Sequence, residues 1–186
     1  AADRRANREL EGELLNEMLT LALDLKDDER IARAQTSFGQ YLRLMGRPIE
    51  ALDALKEAQE RAAEAVQAGQ AEAGITLASA YGQAGNVVGM LGRYSNSRDY
   101  FKRALACYEE LSLPPEFPVS RFRFATHRNL ADMLRWEGRF QEALDQCGIA
   151  MDGLQNTGGA PRYEFGLTLN LLGWIYADIG AIELSR

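Results

Sequence analysis

The chain has 186 residues, of which 46% are hydrophobic and 26% are charged, so it suits one domain with a buried core and is too apolar for a disordered segment. Its net charge of -6 makes nucleic acid and anionic membranes poor partners for the surface as a whole. No apolar run approaches the roughly 20 residues that span a bilayer, and residues 1–5 lead into a charged segment and not into a signal peptide, so we expect a cytoplasmic protein.

Helical patterns follow one another along the whole chain. Their apolar residues recur at three- and four-residue steps, as one buried face of an α-helix requires. The predicted elements are an opening helix over about 4–25, helical hairpins over about 28–68, 70–112 and 118–156, and a last helix over about 162–179 followed by a short stub. The breaks contain helix-stopping residues such as Gly69, Pro115 and Pro161. We therefore expect residues 1–186 to form a single all-α domain.

A Gly-Arg pair followed by a bulky or rigid residue marks three of the predicted turns. It occurs as Gly46-Arg47-Pro48, Gly92-Arg93-Tyr94 and Gly138-Arg139-Phe140, 46 residues apart, and a degenerate copy, Gly180-Ala181-Ile182, follows 42 residues later. Glycine ends a helix because it readily adopts the left-handed conformation, and proline is tolerated in the first turn of the next helix. Each pair therefore predicts the tight corner of a helical hairpin.

The residues on both sides of these turns resemble the tetratricopeptide repeat pattern, in which small residues let two helices approach and bulky residues fill the space between them. The first-helix positions hold Phe38-Gly39, Ala84-Gly85, Leu130-Ala131 and Leu172-Gly173, and after them Leu42, Val88, Leu134 and Tyr176. The second-helix positions hold Ala51, Leu55 and Ala58, then Ser97, Phe101 and Ala104, then Ala143, Cys147 and Ala150.

Two departures from the family pattern identify a long variety of the repeat. The period is 46 or 42 residues instead of the usual 34, and the first aromatic position is mostly lost, since it holds Gln35, Tyr81, His127 and Leu169. Long repeats of this kind are similar to those of kinesin light chain and of bacterial signal-transduction regulators of the LuxR and MalT type. The resemblance implies a right-handed α-solenoid of helical hairpins, with about seven full helices, that binds a protein or peptide.

Motifs for catalysis, cofactors and metals are absent from the sequence. One histidine, His127, and two cysteines, Cys107 and Cys147, are too few for a closed zinc site of about four ligands. The sequence has no phosphate-binding loop, G-x-S-x-G or H-E-x-x-H motif. We therefore expect no cofactor, no metal and no enzymatic activity. His127 and Cys147 are predicted to be packing residues, and the role of Cys107 is left open.

The resemblance also implies a site, because the first helices of tetratricopeptide stacks line the concave surface where peptides usually bind. The predicted groove consists of Arg33, Gln40, Arg43, Asn86, Arg121, Arg128, Asp132, Arg135, Trp136, Asn170 and Trp174. Arginine and tryptophan are favoured interface anchors, and arginine pairs with carboxylates through its planar guanidinium. The groove is therefore predicted to bind an acidic or carboxylate-bearing segment. The alternative is that these helices only show their charges on a solvated face.

The last predicted helix is apolar nearly all round. Its apolar residues are Leu169, Leu171, Leu172, Trp174, Ile175, Tyr176 and Ile179. The ends of a solenoid need a polar cap, and a large exposed apolar patch usually marks an interface. We therefore expect either a homodimer through the C-terminal helix or a native sequence that continues with a further helix.

Three functions follow from the sequence in order of preference. The first is a protein- or peptide-binding scaffold, for which the sensor or interaction segment of a larger bacterial regulator is one setting. The second is a self-association module. The third and remote alternative is a small-ligand-binding or enzymatic helical domain.

Overall fold

Eight α-helices make up the fold. A computed structural model describes residues 2–111, 119–156 and 162–184, with the side chains of 7–111, 122–154 and 163–182. The helices are α1 (Ala2–Leu25), α2 (Asp28–Leu44), α3 (Pro48–Gln67), α4 (Ala73–Met90), α5 (Tyr94–Glu110), α6 (Val119–Trp136), α7 (Phe140–Asn156) and α8 (Arg162–Leu184). These residues contain no strand, so the all-α class is confirmed, with one helix more than the approximate count predicted.

The three Gly-Arg turns share one backbone geometry. Gly46, Gly92 and Gly138 have φ angles of 73°, 74° and 73°, in the left-handed region that glycine adopts without strain. At the first turn the amide of Gly46 donates to the carbonyl of Arg43 at 3.1 Å, and the amide of Arg47 donates to that of Leu42 at 2.9 Å. The same two bonds close the other turns, so each first helix ends in a Schellman motif.

The arginine of the turn begins the second helix. The carbonyl of Arg47 accepts from the amide of Ala51 at 3.0 Å, and its Nε lies 2.6 Å from a carboxylate oxygen of Glu50. Arg139 and Glu142 repeat this pairing at 2.8 Å in the third turn. The Gly-Arg-x-x-Glu spacing thus joins a helix end to a helix start within five residues.

The degenerate fourth turn is not formed, and that prediction is wrong. α8 is continuous from Arg162 to Leu184, and Gly180 does not have a positive φ. A glycine inside a helix costs only about 1 kcal/mol relative to alanine, so it does not end a helix by itself. At the other turns the second helix packs back onto the first, whereas no later helix packs on α8 among the described residues.

The helices stack in chain order, and each contacts the next. The first helices of the hairpins, α2, α4, α6 and α8, also contact one another in series. The second helices, α3, α5 and α7, make no such contacts within the described residues. The first helices therefore lie closer together, on the inner side of a curved stack, which is an α-solenoid.

Each hairpin is held by a small residue that faces a large one. A Cβ atom added to Gly39 would lie 2.6 Å from Cγ of Leu55, and one added to Gly85 would lie 2.9 Å from Cε1 of Phe101. In the third hairpin Ala131 packs in one core with Cys147, a smaller side chain than leucine or phenylalanine. The sizes are complementary at this position in all three hairpins.

Replacing Gly39 by alanine should lower the free energy of unfolding by about 1–3 kcal/mol, because the added methyl group overlaps Leu55. The matched control is Gly148→Ala on α7, where an added Cβ meets no atom within 4 Å. That variant should be as stable as the parent, or more stable by about 0.5–1 kcal/mol, since alanine has the higher helix propensity. Urea unfolding followed by circular dichroism measures both, and equal effects would contradict the close packing.

His127 packs between the two helices of the third hairpin. Its imidazole is buried, and its Nδ1 lies 2.8 Å from Oε1 of Gln146 on α7. Because an amide oxygen only accepts, Nδ1 carries the proton in this arrangement. Burial lowers the pKa of His127 from 6.5, and the hydrogen bond to Gln146 opposes this effect only in part.

Because the folded chain favours the neutral imidazole, this residue makes stability depend on pH. Between pH 6.5 and the lower folded pKa, the unfolded chain binds more protons than the folded one. The stability that neutral His127 contributes to the free energy of unfolding is thus fully present above pH 6.5 and is lost as the pH falls below 6.5. In His127→Gln the free energy of unfolding should decline less between about pH 7.5 and 5.5 than in the parent. Urea unfolding of both proteins across this pH range measures the difference. If their free energies of unfolding change with pH in parallel, the prediction is wrong.

Candidate peptide-binding groove

The inner surface of the first helices α2, α4, α6 and α8 is here called the first-helix groove, and the predicted site residues lie on these four helices. Arg33, Gln40 and Arg43 lie on α2, Asn86 on α4, Arg121, Arg128, Asp132, Arg135 and Trp136 on α6, and Asn170 and Trp174 on α8. The side chain of Arg121 lies outside the described residues. The remaining predicted residues lie on α2, α4, α6 and α8, each of which contacts the next. Matching positions between repeats thus selected residues on neighbouring helices.

A cleft of about 440 Å³ lies between α2 and the start of α4. Its lining residues are Arg33, Thr36, Ser37, Gln40, Glu72, Ile75, Thr76 and Ser79. Seven of these eight residues carry a hydroxyl, amide or charged group, but carbon atoms contribute most of the cleft surface. Sequence reasoning missed Glu72, Ile75 and Thr76, because repeat matching follows one stripe per helix and these residues lie in the seam between helices.

Arg43 is the predicted arginine that has no carboxylate partner among the described residues. Its Nη1 contacts only the sulfur of Met90, at 3.7 Å, and its Nε is buried without a hydrogen-bond partner. Burial lowers the pKa of the Arg43 guanidinium from its usual 12.5. On the neighbouring α4, Oε1 of Gln83 is likewise buried and unpaired. The α2–α4 seam thus holds an unused donor and an unused acceptor.

The other predicted arginines with described side chains are already paired with carboxylates. Arg33 binds Glu29 one turn earlier on α2, at 2.6 Å. Arg128 binds Glu164, and Arg135 binds Asp178 at 2.7 Å, so both connect α6 to α8. These two arginines therefore act as ties between repeats, and their charge is largely neutralised within the groove.

Aromatic and amide contacts extend the groove toward α8. The guanidinium of Arg135 lies 4.4 Å from the ring centroid of Trp136 and 5.7 Å from that of Trp174, within the range of cation–π attraction. Both tryptophans are half-exposed. Nearer the cleft, Nδ2 of Asn129 donates to Oδ1 of Asn86 at 3.2 Å and joins α6 to α4. The ring of Trp136 also stacks on that of Tyr94 at the start of α5, with centroids 5.4 Å apart, so Trp136 packs partly against a second helix.

The thiols show the environment of packing residues. Cys147 is buried, and burial raises its pKa to about 11. Burial also raises the pKa of Cys107. Thiols with raised pKa values are protonated at neutral pH and are poor nucleophiles. Within the described residues, no three His, Cys, Asp or Glu side chains lie together as metal ligands would.

One segment of α8 is long and apolar enough to cross a membrane by length and composition, namely Tyr163–Ile182, with a mean hydropathy of 1.3. The prediction from the sequence that no apolar run is long enough to span a bilayer is therefore wrong for α8. Two carboxylates within or beside the run, Glu164 and Asp178, are bound to arginines of α6. The absence of a membrane partner stays a prediction.

Known proteins resemble this chain both in the sequence of one hairpin and in the fold. Residues 77–114 match the family model described as tetratricopeptide repeat, and they cover most of the α4–α5 hairpin. No curated protein sequence matches the chain. Two crystal structures of nearly identical TPR-like repeats, assigned to a kinesin light chain of Podosopora anserina, are similar to it in fold. The first has a TM-score of 0.61 and the second, a variant, 0.62, both at 14% identity.

These structures match this chain over nearly its whole length. The alignments cover 98% of this chain and 90% and 89% of the two repeat structures. The predicted resemblance to the tetratricopeptide repeat is confirmed in sequence for residues 77–114, and the predicted fold is confirmed for the chain by its similarity to TPR-like repeat structures. The chain carries a tetratricopeptide repeat in its second hairpin and has the fold of a TPR-like α-solenoid.

Proposed function

We propose that the chain binds an extended, acidic segment of another protein in the first-helix groove, with Arg43, in the last turn of α2, as its cationic anchor. Tetratricopeptide repeats are protein-interaction scaffolds, which supports the general class of function. The observation that carries the specific proposal is the half-buried guanidinium of Arg43, whose Nε is buried without a hydrogen-bond partner and which has no carboxylate partner in the described residues. A bound carboxylate would supply that partner.

The energetics favour a ligand at this position. A buried donor that lacks its hydrogen bond costs about 1–3 kcal/mol, and a charged one costs more. A ligand carboxylate can accept from Nε and the Nη atoms of Arg43 together, in the bidentate geometry that guanidinium prefers. A backbone amide of the same ligand can donate to the unpaired Oε1 of Gln83.

Arg128 and Arg135 have a different role in this proposal. Because each holds a carboxylate of α8, a ligand would have to displace that carboxylate before it could bind. Removing one partner of a half-buried ion pair destabilises the protein, because the other charge stays behind unpaired. If variants of these two arginines lose binding, the cause can be weaker packing of α8 on α6 as much as the loss of a direct contact with the ligand.

Replacing Arg43 by alanine should weaken the binding of acidic peptides at least about tenfold, because the anchor is removed from a desolvated site. The probes are peptides selected from a random display library against the 186-residue chain, measured by fluorescence anisotropy. Selected peptides should carry Asp or Glu, and their Gln-substituted versions should lose affinity for the parent but not for the Arg43→Ala variant.

The control is Arg47→Ala, four residues away at the hairpin turn, where the guanidinium is exposed and paired with Glu50. It removes the same charge without touching the groove. Equal affinities for the parent and the Arg43→Ala variant, or equal losses in the two variants, would refute Arg43 as the anchor.

The setting of the scaffold rests on the sequence resemblance alone. Similarity to regulators of the LuxR and MalT type supports a sensor or interaction segment of a larger cytoplasmic bacterial regulator. In that setting the acidic segment would belong to a regulatory partner of the protein.

A second proposed function is self-association through α8. The first-helix positions that the second helix covers in the other hairpins are exposed here. Leu42, Val88 and Leu134 are between 2% and 5% exposed, whereas their counterpart Tyr176 is 61% exposed. Leu169 is 49% exposed, although its counterpart His127 is buried. A homodimer would cover this apolar surface, which a solvated monomer leaves in water.

Sedimentation of the 186-residue chain should therefore show a mass that rises with concentration above the 20.7 kDa of the monomer. Introducing a charge with Tyr176→Glu should shift the equilibrium toward monomer at least about tenfold, since burying an unpaired carboxylate is costly. Ile49→Glu is the matched control, because Ile49 is a similarly exposed apolar residue at the start of α3. A strict monomer at every concentration would exclude this function.

A further inference from the structure

We infer that Gln40 and Met90 determine whether the first-helix groove binds a carboxylate, because they stand where two aspartates hold the equivalent arginine of the third hairpin. This inference rests on the proposed function and names the residues that keep its anchor, Arg43, available to a ligand. It follows from the repeat, in which the same arginine occurs twice with different neighbours.

Arg43 and Arg135 occupy the same position of the repeat. Each lies three residues before the left-handed glycine of its hairpin turn, Gly46 or Gly138. Each stands in the last turn of a first helix and reaches the next first helix of the stack, from α2 to α4 or from α6 to α8. The second hairpin has Gly89 at this position, so the first and third hairpins carry the arginine.

The two arginines differ first at Nε. Nε of Arg135 donates to Oδ1 of Asp132, three residues earlier on α6, at 3.1 Å. Residues three apart are neighbours on a helix surface, so an aspartate at this spacing can reach the arginine. The residue three positions before Arg43 is Gln40, and Nε of Arg43 is buried without a hydrogen-bond partner among the described residues. A neutral amide thus replaces the first carboxylate.

The second difference lies at Nη1, on the side of the next first helix. Nη1 of Arg135 donates to Oδ2 of Asp178 on α8 at 2.7 Å. Nη1 of Arg43 instead lies 3.7 Å from Sδ of Met90 on α4. Met90 and Asp178 match in the repeat, since each lies two residues before the glycine that marks it. A thioether is a weak acceptor without charge, so the second carboxylate is also replaced by a neutral group.

The same two nitrogen atoms are therefore bound in Arg135 and available in Arg43. Burial lowers the pKa of Arg43. Burial acts on the pKa of Arg135 in the same direction, but the hydrogen bonds to Asp178 and Asp132 outweigh it and raise that pKa. A partly buried charge without a counter-charge is costly, so a ligand carboxylate gains more at Arg43 than at Arg135. It would take the place of either missing aspartate.

The packing of α2 on α4 has other sources than Arg43. At the far end of the two helices, Oγ1 of Thr76 donates to a carboxylate oxygen of Glu29 at 3.1 Å. Leu42 of α2 shares a buried core with Ala84 and Val87 of α4. Substitutions around Arg43 therefore test its charge without removing the contacts that hold the two helices together.

The test transfers the two carboxylates of the third hairpin to the first. Gln40→Asp with Met90→Asp recreates them around Arg43, at two positions that are exposed and tolerate a change. The neutral variant Gln40→Asn with Met90→Leu changes the same side chains without adding a charge. Ile49→Glu adds a carboxylate outside the groove, at the start of α3. Circular dichroism establishes that all variants fold.

The probes are acidic peptides selected against the parent chain, with affinities measured by fluorescence anisotropy. The doubly acidic variant should bind them at least about tenfold more weakly than the parent, as Arg43→Ala does, because the new aspartates occupy the anchor. In an Arg43→Ala background the same two substitutions should cause little further loss, since their effect passes through the arginine. The neutral variant and Ile49→Glu should bind as the parent does.

A second measurement distinguishes pairing from general repulsion. Because the new aspartates pair with Arg43, the midpoint of urea unfolding of the doubly acidic variant should be at or above that of the parent. Carboxylates that only repel the peptide would leave Arg43 unpaired and would weaken binding equally in the Arg43→Ala background.

Three results would overturn the inference while Arg43 stays the anchor. They are unchanged affinity in the doubly acidic variant, an equal loss in the neutral variant, and an equal loss with and without Arg43. If Arg43→Ala by itself leaves the affinity unchanged, the proposed anchor is wrong, and the inference fails together with it.

Discussion

The close approach of two helices within each hairpin is the constraint on which the rest of the structure depends. It requires a residue with little or no side chain on the first helix and a larger one opposite, as Gly39 with Leu55 and Gly85 with Phe101 show. It also requires a chain reversal tight enough to bring the helices together, which the left-handed glycines of the Gly-Arg turns provide. Once one hairpin has this shape, the next packs on it in the same way, and a solenoid follows.

This stacking determines what the groove can bind. Adjacent first helices are held together by contacts between them. Some of the arginines that the sequence analysis assigned to a ligand make these contacts instead. Arg128 and Arg135 bind carboxylates of α8, whereas between α2 and α4 Arg43 lies beside Met90 and has no carboxylate partner among the described residues. Arg43 is therefore the arginine at which the proposed ligand could bind without displacing a carboxylate of the described residues.

The same stacking leaves unequal surfaces at the two ends. A helix in the middle of the stack is covered on two sides, whereas α1 and α8 are each covered mainly on one. Their remaining faces are not random apolar surface, because each retains the form of the repeat: leucines at helical spacing on α1 and glycines seven residues apart on α8. The proposed peptide binding and the proposed self-association use different faces and do not exclude each other.

The sequence by itself determined the helices, the three hairpin turns and the closely packed positions, because these depend on residues near one another in the chain and on a pattern repeated every 46 residues. It also predicted which helices would carry the proposed groove. Only the tertiary structure decided which arginines are free, since Arg128 meets Glu164 across 36 residues and the meeting depends on how α6 lies against α8. It likewise decided that Gly180 stays helical: a glycine permits a turn, but the turn forms only where a second helix packs back to stabilise it.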